Sequence, residues 1–402
     1  ASLVLREWLA EWVAARGPGL GDLEYQAFLD HYPVSKFFVD SGHNGSHWGA
    51  RKAKRPPRLI RLFDWRVRVR GMPEMPEFID DREGDDPRTV LSGMDSVLHV
   101  VYAARKWATR RGDRVLVLMG MSGLTWPAFG ETEEVRSAMS AELRRLFSRI
   151  YTVGNDRNAS RAGFRTMPLG LVEGKVRKTN RLRPGAASAV AAIASARLDN
   201  TAKPFLIIAA FGAMSESYCS HGGPLKSFDE VNVTSASSDI LAWSEHPFYG
   251  AIAMWYGRRS HQAGQVPKAI SRHLAYRWLT TPGSHQLGVT ARQISTHDWW
   301  PELAKYRFMV SPMGDEIQSP KNAEALLVLT VPILQRGPYR VADDLLGLGF
   351  PVAVLDEWEE LSPGNLSHWW HMLSPRLLSF RANCLTTDAF YRIVTGGMES
   401  CH

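Results

Sequence analysis

The stretch Tyr306-Arg-Phe-Met-Val-Ser-Pro-Met-Gly314, continued by Ser319-Pro-Lys-Asn-Ala-Glu-Ala-Leu326, Val331-Pro-Ile-Leu334 and Phe350-Pro-Val-Ala-Val-Leu-Asp-Glu-Trp358, decides the fold. Its short apolar runs are bounded by Pro and Gly, and a segment of helical character lies between the first two. The pattern reads as strand, Gly-containing loop, helix, strand, loop, strand, the alternation of a parallel α/β unit. A loop that opens a helix after a buried strand presents free backbone N–H groups and a positive dipole end, a setting that suits phosphate. Gly314 lets backbone approach a ligand closely. Lys321, in the first turn of the helix, adds a compact cation, and Glu324 one turn later is an acceptor for a ribose diol. Pro332 restricts the next strand to a position where a missing N–H is tolerated.

The same alternation extends outward over the chain. Strands are predicted over 36–39, 114–119, 150–153, 205–210, 251–255, 308–311, 331–334 and 352–355, and helices over 89–109, 131–148, 268–278, 301–306 and 321–329. Between Leu171 and Thr201 a basic, Pro/Gly-bearing half gives way to an Ala-rich half, the composition shift of a linker. It divides the chain into domains over 1–195 and 196–402, with an alternative junction near 246 at the Ser-rich 234–239, and the segment 380–394 is expected to cross back onto the first domain. With 402 residues, two domains are the natural count.

Hydrophobic residues make up 45% and charged residues 22%, the proportions of a globular protein, and no apolar run reaches the roughly 20 residues that span a bilayer. The chain begins at Ala1 rather than Met, so membrane contact is expected only through an N-terminal anchor outside it. A net charge of +7 suits anionic partners, yet the basic residues are dispersed, and the one dense cluster, over 51–70, is followed by an acidic loop. Nucleic acid is therefore not the expected partner. The three cysteines, Cys219, Cys384 and Cys401, fit neither a disulfide framework nor a zinc pattern. Sequons at Asn44, Asn158, Asn232 and Asn365 favour the lumen of the secretory pathway, Golgi or ER.

The N-terminal half carries Phe37-Phe-Val-Asp-Ser-Gly-His-Asn-Gly-Ser-His47, a strand running into a Gly-rich loop. Loops at the carboxyl ends of parallel strands line the ligand crevice. His43 is the first candidate for a general base there, with Asp40 as its orienting partner or as the base itself. Gly257-Arg258-Arg259, after the predicted strand 251–255, offers Arg258 to a phosphate or forms a plain basic turn.

The run from Tyr306 to Trp358 resembles the C-terminal signature of exostosin-like glycosyltransferases through Ser311, Pro312, Gly314, Glu324, Ala325, Leu326, Pro332, Ile333, Asp356 and Trp358. The resemblance covers about 50 to 60 residues well, and Met167-Pro-Leu-Gly170 is similar to a short strand of the family's first domain. It implies a GT-B architecture, two Rossmann-like domains facing across a cleft. It further implies inverting transfer from a UDP- or GDP-sugar to a glycan or glycoprotein, with no bound metal or other cofactor. Ser311, Gly314, Lys321, Glu324 and Arg258 would bind the donor. Where the family commonly carries Arg after Ser-Pro, His-Arg ahead of the helix and Gly-Cys before the next strand, this chain has Met313, Pro320-Lys321 and Leu329-Thr330. The loss of that arginine admits a second reading, a degenerate GT-B-like protein that binds carbohydrate or serves as an assembly subunit.

Overall fold

The computed structural model describes residues 22–33, 58–70, 77–80, 86–94, 97–104, 112–119, 125–130, 132–171, 184–211, 266–295, 298–313 and 317–401. Its strands form two sheets. The first contains β1 (Trp65–Arg70), β2 (Glu77–Asp80), β3 (Thr89–Gly93), β4 (Val115–Met119), β5 (Arg149–Thr152) and β6 (Arg165–Thr166), in the order β2-β1-β3-β4-β5-β6. Every neighbouring pair is parallel except β1 with β2. The second contains β7 (Phe205–Ala209), β8 (Val289–Ala291), β9 (Tyr306–Val310), β10 (Val331–Gln335) and β11 (Ala353–Leu355), all parallel, in the order β11-β10-β9-β7-β8. Counted from its own first strand, this is the doubly wound order 2-1-3-4-5, which reverses direction between β7 and β9. The fold is thus α/β with two Rossmann-like sheets.

Parallel strands buried on both faces call for near-continuous apolar runs; β4 supplies one throughout, and β9 and β10 do so at all positions but Arg307 and Gln335. Along β4 the side chains alternate between two cores. Val115, Val117 and Met119 join the large core shared with the second sheet, while Leu116 and Leu118 join the core under the outer face of the first.

Several sequence expectations are corrected. The helix predicted over 89–109 is instead strand β3 followed by a helix over Val97–Ala104. Thr89–Gly93 is wholly buried between β1 and β4, and a short apolar run does not distinguish a central strand from a helix by periodicity. The helix predicted over 301–306 runs over Trp299–Leu303, and Tyr306 already opens β9. Trp65-Arg-Val-Arg-Val-Arg70, counted above only as basic charge, is β1; its period-two alternation was the available signal. Cys384 and Cys401 form a disulfide, which neither cysteine count nor spacing disclosed. The predicted strands 36–39 and 251–255 lie outside the described residues.

After the long helix Pro363–Asn383, the helix Thr387–Thr395 lies on the first sheet. Tyr151 Oη donates to the Ile393 carbonyl at 3.2 Å, Arg149 Nη1 to the Thr395 carbonyl at 3.0 Å, and Arg58 pairs with Asp388 at 2.8 Å. Gly396 ends that helix in the left-handed region, at φ 78°. A Cβ there would fall 1.5 Å from Arg149 Nη1. Gly396→Ala therefore combines a disfavoured backbone conformation with displacement of Arg149, and is expected to cost about 2 kcal/mol. Urea denaturation checks this; an unchanged midpoint would refute it.

Candidate functional site

The strand order reverses direction between β7 and β9, and the carboxyl ends of the strands at such a reversal are where doubly wound sheets bind ligands. Residue 210 follows β7 and residue 311 follows β9. Ser311 N donates to the Ile333 carbonyl at 3.0 Å, and Ser311 Oγ to Asn322 Oδ1 at 2.6 Å, tying the end of β9 to the helix Lys321–Leu327. Met313 N donates to Ser271 Oγ at 3.0 Å. Arg272 Nε donates to the Met313 carbonyl at 3.2 Å, so the helix Val266–Leu279 brings a guanidinium to this loop.

Lys321 Nζ reaches the Ala210 carbonyl across the crevice and stands 4.3 Å over the Trp299 ring. Trp299 Nε1 donates to Glu324 Oε2 at 2.7 Å. Lys321 and Glu324 are three residues apart on one helix face, and Trp299, on the helix Trp299–Leu303, covers that face. The Glu324 carboxylate is consequently buried against the indole, with the residue only 4% exposed. A ligand facing the end of β9 meets Ser311 and Asn322 rather than Glu324, since those two line the small cavity of about 30 Å³ between the ends of β9 and β10. That volume holds one water, not a nucleotide.

Gln318 joins the two sheets. Its Nε2 donates to the Val153 and Met167 carbonyls, both at 2.8 Å, and its Oε1 accepts from Leu169 N at 2.9 Å. Val153 and Met167 follow β5 and β6, and Gln318 lies in the loop after β9, so the carboxyl ends of both sheets face each other here. Gln318 is 3% exposed with three bonds satisfied, and Gln318→Ala leaves buried groups unpaired. We expect it to lower stability by about 2 kcal/mol; a change below about 0.5 kcal/mol in denaturant unfolding would show the bridge to be dispensable.

Asp156, just beyond β5, is occupied structurally: its carboxylate accepts from Trp126 N at 2.5 Å and Ala159 N at 2.9 Å, while burial pushes its pKa up. Of the residues singled out from sequence, Ser311, Lys321 and Glu324 cluster at the crevice; His43, Asp40, Gly314 and Arg258 lie outside the described residues. Arg272, Trp299 and Gln318 were not anticipated, because nothing local in the sequence pairs Arg272 with Met313 or Gln318 with Val153. One departure from the family pattern acquires a physical meaning. Leu329, where the family carries Gly, is left-handed at φ 62°, a conformation that favours glycine.

No family model matches the chain, and no curated protein matches its sequence. Among solved structures it is similar to HepE from Anabaena, crystallised in complex with UDP, at 11% identity over 79% of this chain and 76% of that one, with a TM-score of 0.29. The glycotransferase of kitacinnamycin shows 11% identity over 77% of this chain and 75% of its own, TM-score 0.28. Sucrose-phosphate synthase from Thermosynechococcus elongatus shows 10% identity over 78% and 70%, TM-score 0.26.

Proposed function

We propose that this protein is a glycosyltransferase that moves a sugar from a UDP- or GDP-sugar to a glycan or glycoprotein acceptor with inversion, an exostosin-like enzyme of GT-B architecture. The observation that carries this reading is the convergence of two cations, Lys321 at the Ala210 carbonyl and Arg272 at the Met313 carbonyl, on the reversal point of a doubly wound sheet. A nucleoside diphosphate resting on that crevice would give its charge to Lys321 and Arg272, with Arg258 as a further contact, and the reading calls for no metal. Ser311, at the end of β9, would meet the donor, and Gly314 would let backbone approach it closely. Glu324 contributes by holding the Trp299 indole beneath Lys321.

For the chemistry, a base on the first domain, His43 with Asp40 beside it in sequence, would take the acceptor hydroxyl proton as its oxygen attacks the anomeric carbon from the face opposite the diphosphate. The carbon–oxygen bond to the diphosphate breaks, the leaving charge falls on the cationic crevice, and the configuration inverts. The second reading, a degenerate binding or assembly subunit, drew on Met313 in place of an arginine. Arg272 supplies a guanidinium at the same loop from another helix and favours the enzyme. Acceptor-dependent release of UDP or GDP from a panel of nucleotide sugars tests the reaction, and release with none of them would count against it.

The reading also places the protein in the secretory lumen. A Cys384–Cys401 disulfide needs an oxidising compartment, and Asn365 is exposed at the start of its helix. Expressed through a eukaryotic secretory host, the protein is expected to carry endoglycosidase-sensitive mass, reduced by one glycan in Asn365→Gln. Absence of any sensitive mass would refute this placement.

A further inference from the structure

A much larger cavity than the one at the end of β9 lies between the two sheets. It is a groove of about 680 Å³, within the range that holds small ligands. One wall comes from β5 and β6, the other from the helix Val341–Gly347. That helix separates the two cavities: Arg340, Asp343, Asp344 and Gly347 border the groove, whereas Val341, Ala342 and Leu345 border the small cavity. The groove therefore stands about 10 Å, one helix diameter, from the small cavity at the ends of β9 and β10.

Three guanidiniums enter it. Arg165 is paired in register with Tyr151, and Arg149 lies two residues before Tyr151 on β5, so both project from one sheet face. Arg340 comes from the other unit. Their existing commitments are slight. Among the described residues the Arg149 side chain donates to the Thr395 carbonyl, Arg340 stands 3.9 Å from Asp344 with its side chain 71% exposed, and the guanidinium of exposed Arg165 has no hydrogen bond or ion pair. The aspartates are already held: Asp343 by Arg336 at 3.0 Å, Asp344 by the Thr166 hydroxyl. Glu399 is the remaining acid on the lining. Donor capacity thus exceeds what the protein itself uses, and forked guanidiniums match oxyanions bidentately.

We propose that this groove is a second ligand site, for a molecule bearing a carboxylate or phosphate, gripped by Arg149 and Arg165 from one unit and Arg340 from the other. Because its arginines come from both units, a bound oxyanion fastens the units together. The site is independent of the nucleotide reading, since no residue of the Lys321–Arg272 crevice borders it.

The test is calorimetric titration of two probes, inorganic phosphate and galacturonate, into the full chain and into Arg165→Gln, Arg340→Gln, Arg145→Gln and Lys321→Ala. Arg145 pairs with Glu142 on a separate helix and removes the same net charge, so it controls for charge alone. Saturable binding of at least one probe is expected, weakened about tenfold in Arg165→Gln and Arg340→Gln and unchanged in the other two. Preference for galacturonate identifies an acidic sugar as the ligand class, and preference for phosphate a phosphorylated one. Absence of saturable binding by both probes, equal binding in all variants, or loss in Lys321→Ala instead overturns the proposal.

Discussion

Denaturant unfolding of the wild-type protein and of Lys203→Met over a pH series is expected to show the wild type gaining on the variant as pH rises from about 7 towards 10.5. Lys203 is fully buried at the amino ends of β7 and β9. Its Nζ donates to the carbonyls of Ala304 and Tyr306 at 2.9 Å and of Val328 at 3.1 Å, and to Thr330 Oγ1 at 3.1 Å. Burial pushes its ammonium down from 10.5 to about 7, helped by the nearby Arg381 and Arg307 charges. Between those values the unfolded chain binds one more proton than the folded one, so folding is favoured as pH rises. The slope reaches about 1.4 kcal/mol per pH unit and the gain across the window is on the order of 4 kcal/mol. Below pH 7 both states carry the proton and the difference levels off. A wild-type-minus-variant difference that stays flat from pH 7 to 10 would show that Lys203 keeps its proton in the fold.

Arg272→Ala is expected to weaken binding of UDP or GDP by about tenfold to a hundredfold while leaving the unphosphorylated nucleoside nearly untouched. The guanidinium is fixed beside the end of β9 through the Met313 carbonyl, where a diphosphate laid on the crevice would meet it. Removing a charge-assisted contact costs about 1.5 to 3 kcal/mol. Arg272→Lys should recover only part of the loss, since an ammonium cannot reproduce the fork. Equal loss for nucleoside and nucleotide, with the fold intact, would make Arg272 a brace for the loop.

Four of the second sheet's five strands, β7, β9, β10 and β11, were legible because they are the simplest kind of signal, short apolar runs bounded by Pro or Gly. The remaining one, β8, a three-residue edge strand (Val289–Ala291) with no buried residue, carried no such signal and was not predicted. Val331–Gln335 keeps its place even with Pro332 inside it. The first sheet hid its leading strands. Arginines alternating on β1 read as surface charge, and Thr89–Gly93 merges with the apolar helix after it. Within the site, the sequence pointed to Lys321 and Glu324 but not to their orientation, because Trp299, which stands between them, belongs to an earlier helix. Arg272 opposite Met313, Gln318 under Met167 and Cys384 against Cys401 are partnerships made by tertiary packing, and no local pattern marks them.

The central claim is that the crevice between β7 and β9 holds a nucleoside diphosphate. Its most direct test is calorimetric titration of UDP, GDP and their nucleosides into the wild-type protein and Lys321→Ala. One of the two diphosphates is expected to bind at one site per chain, and Lys321→Ala to weaken it by about tenfold, with the corresponding nucleoside little changed. Saturable binding by neither diphosphate, or binding with the same affinity in Lys321→Ala, would contradict the claim.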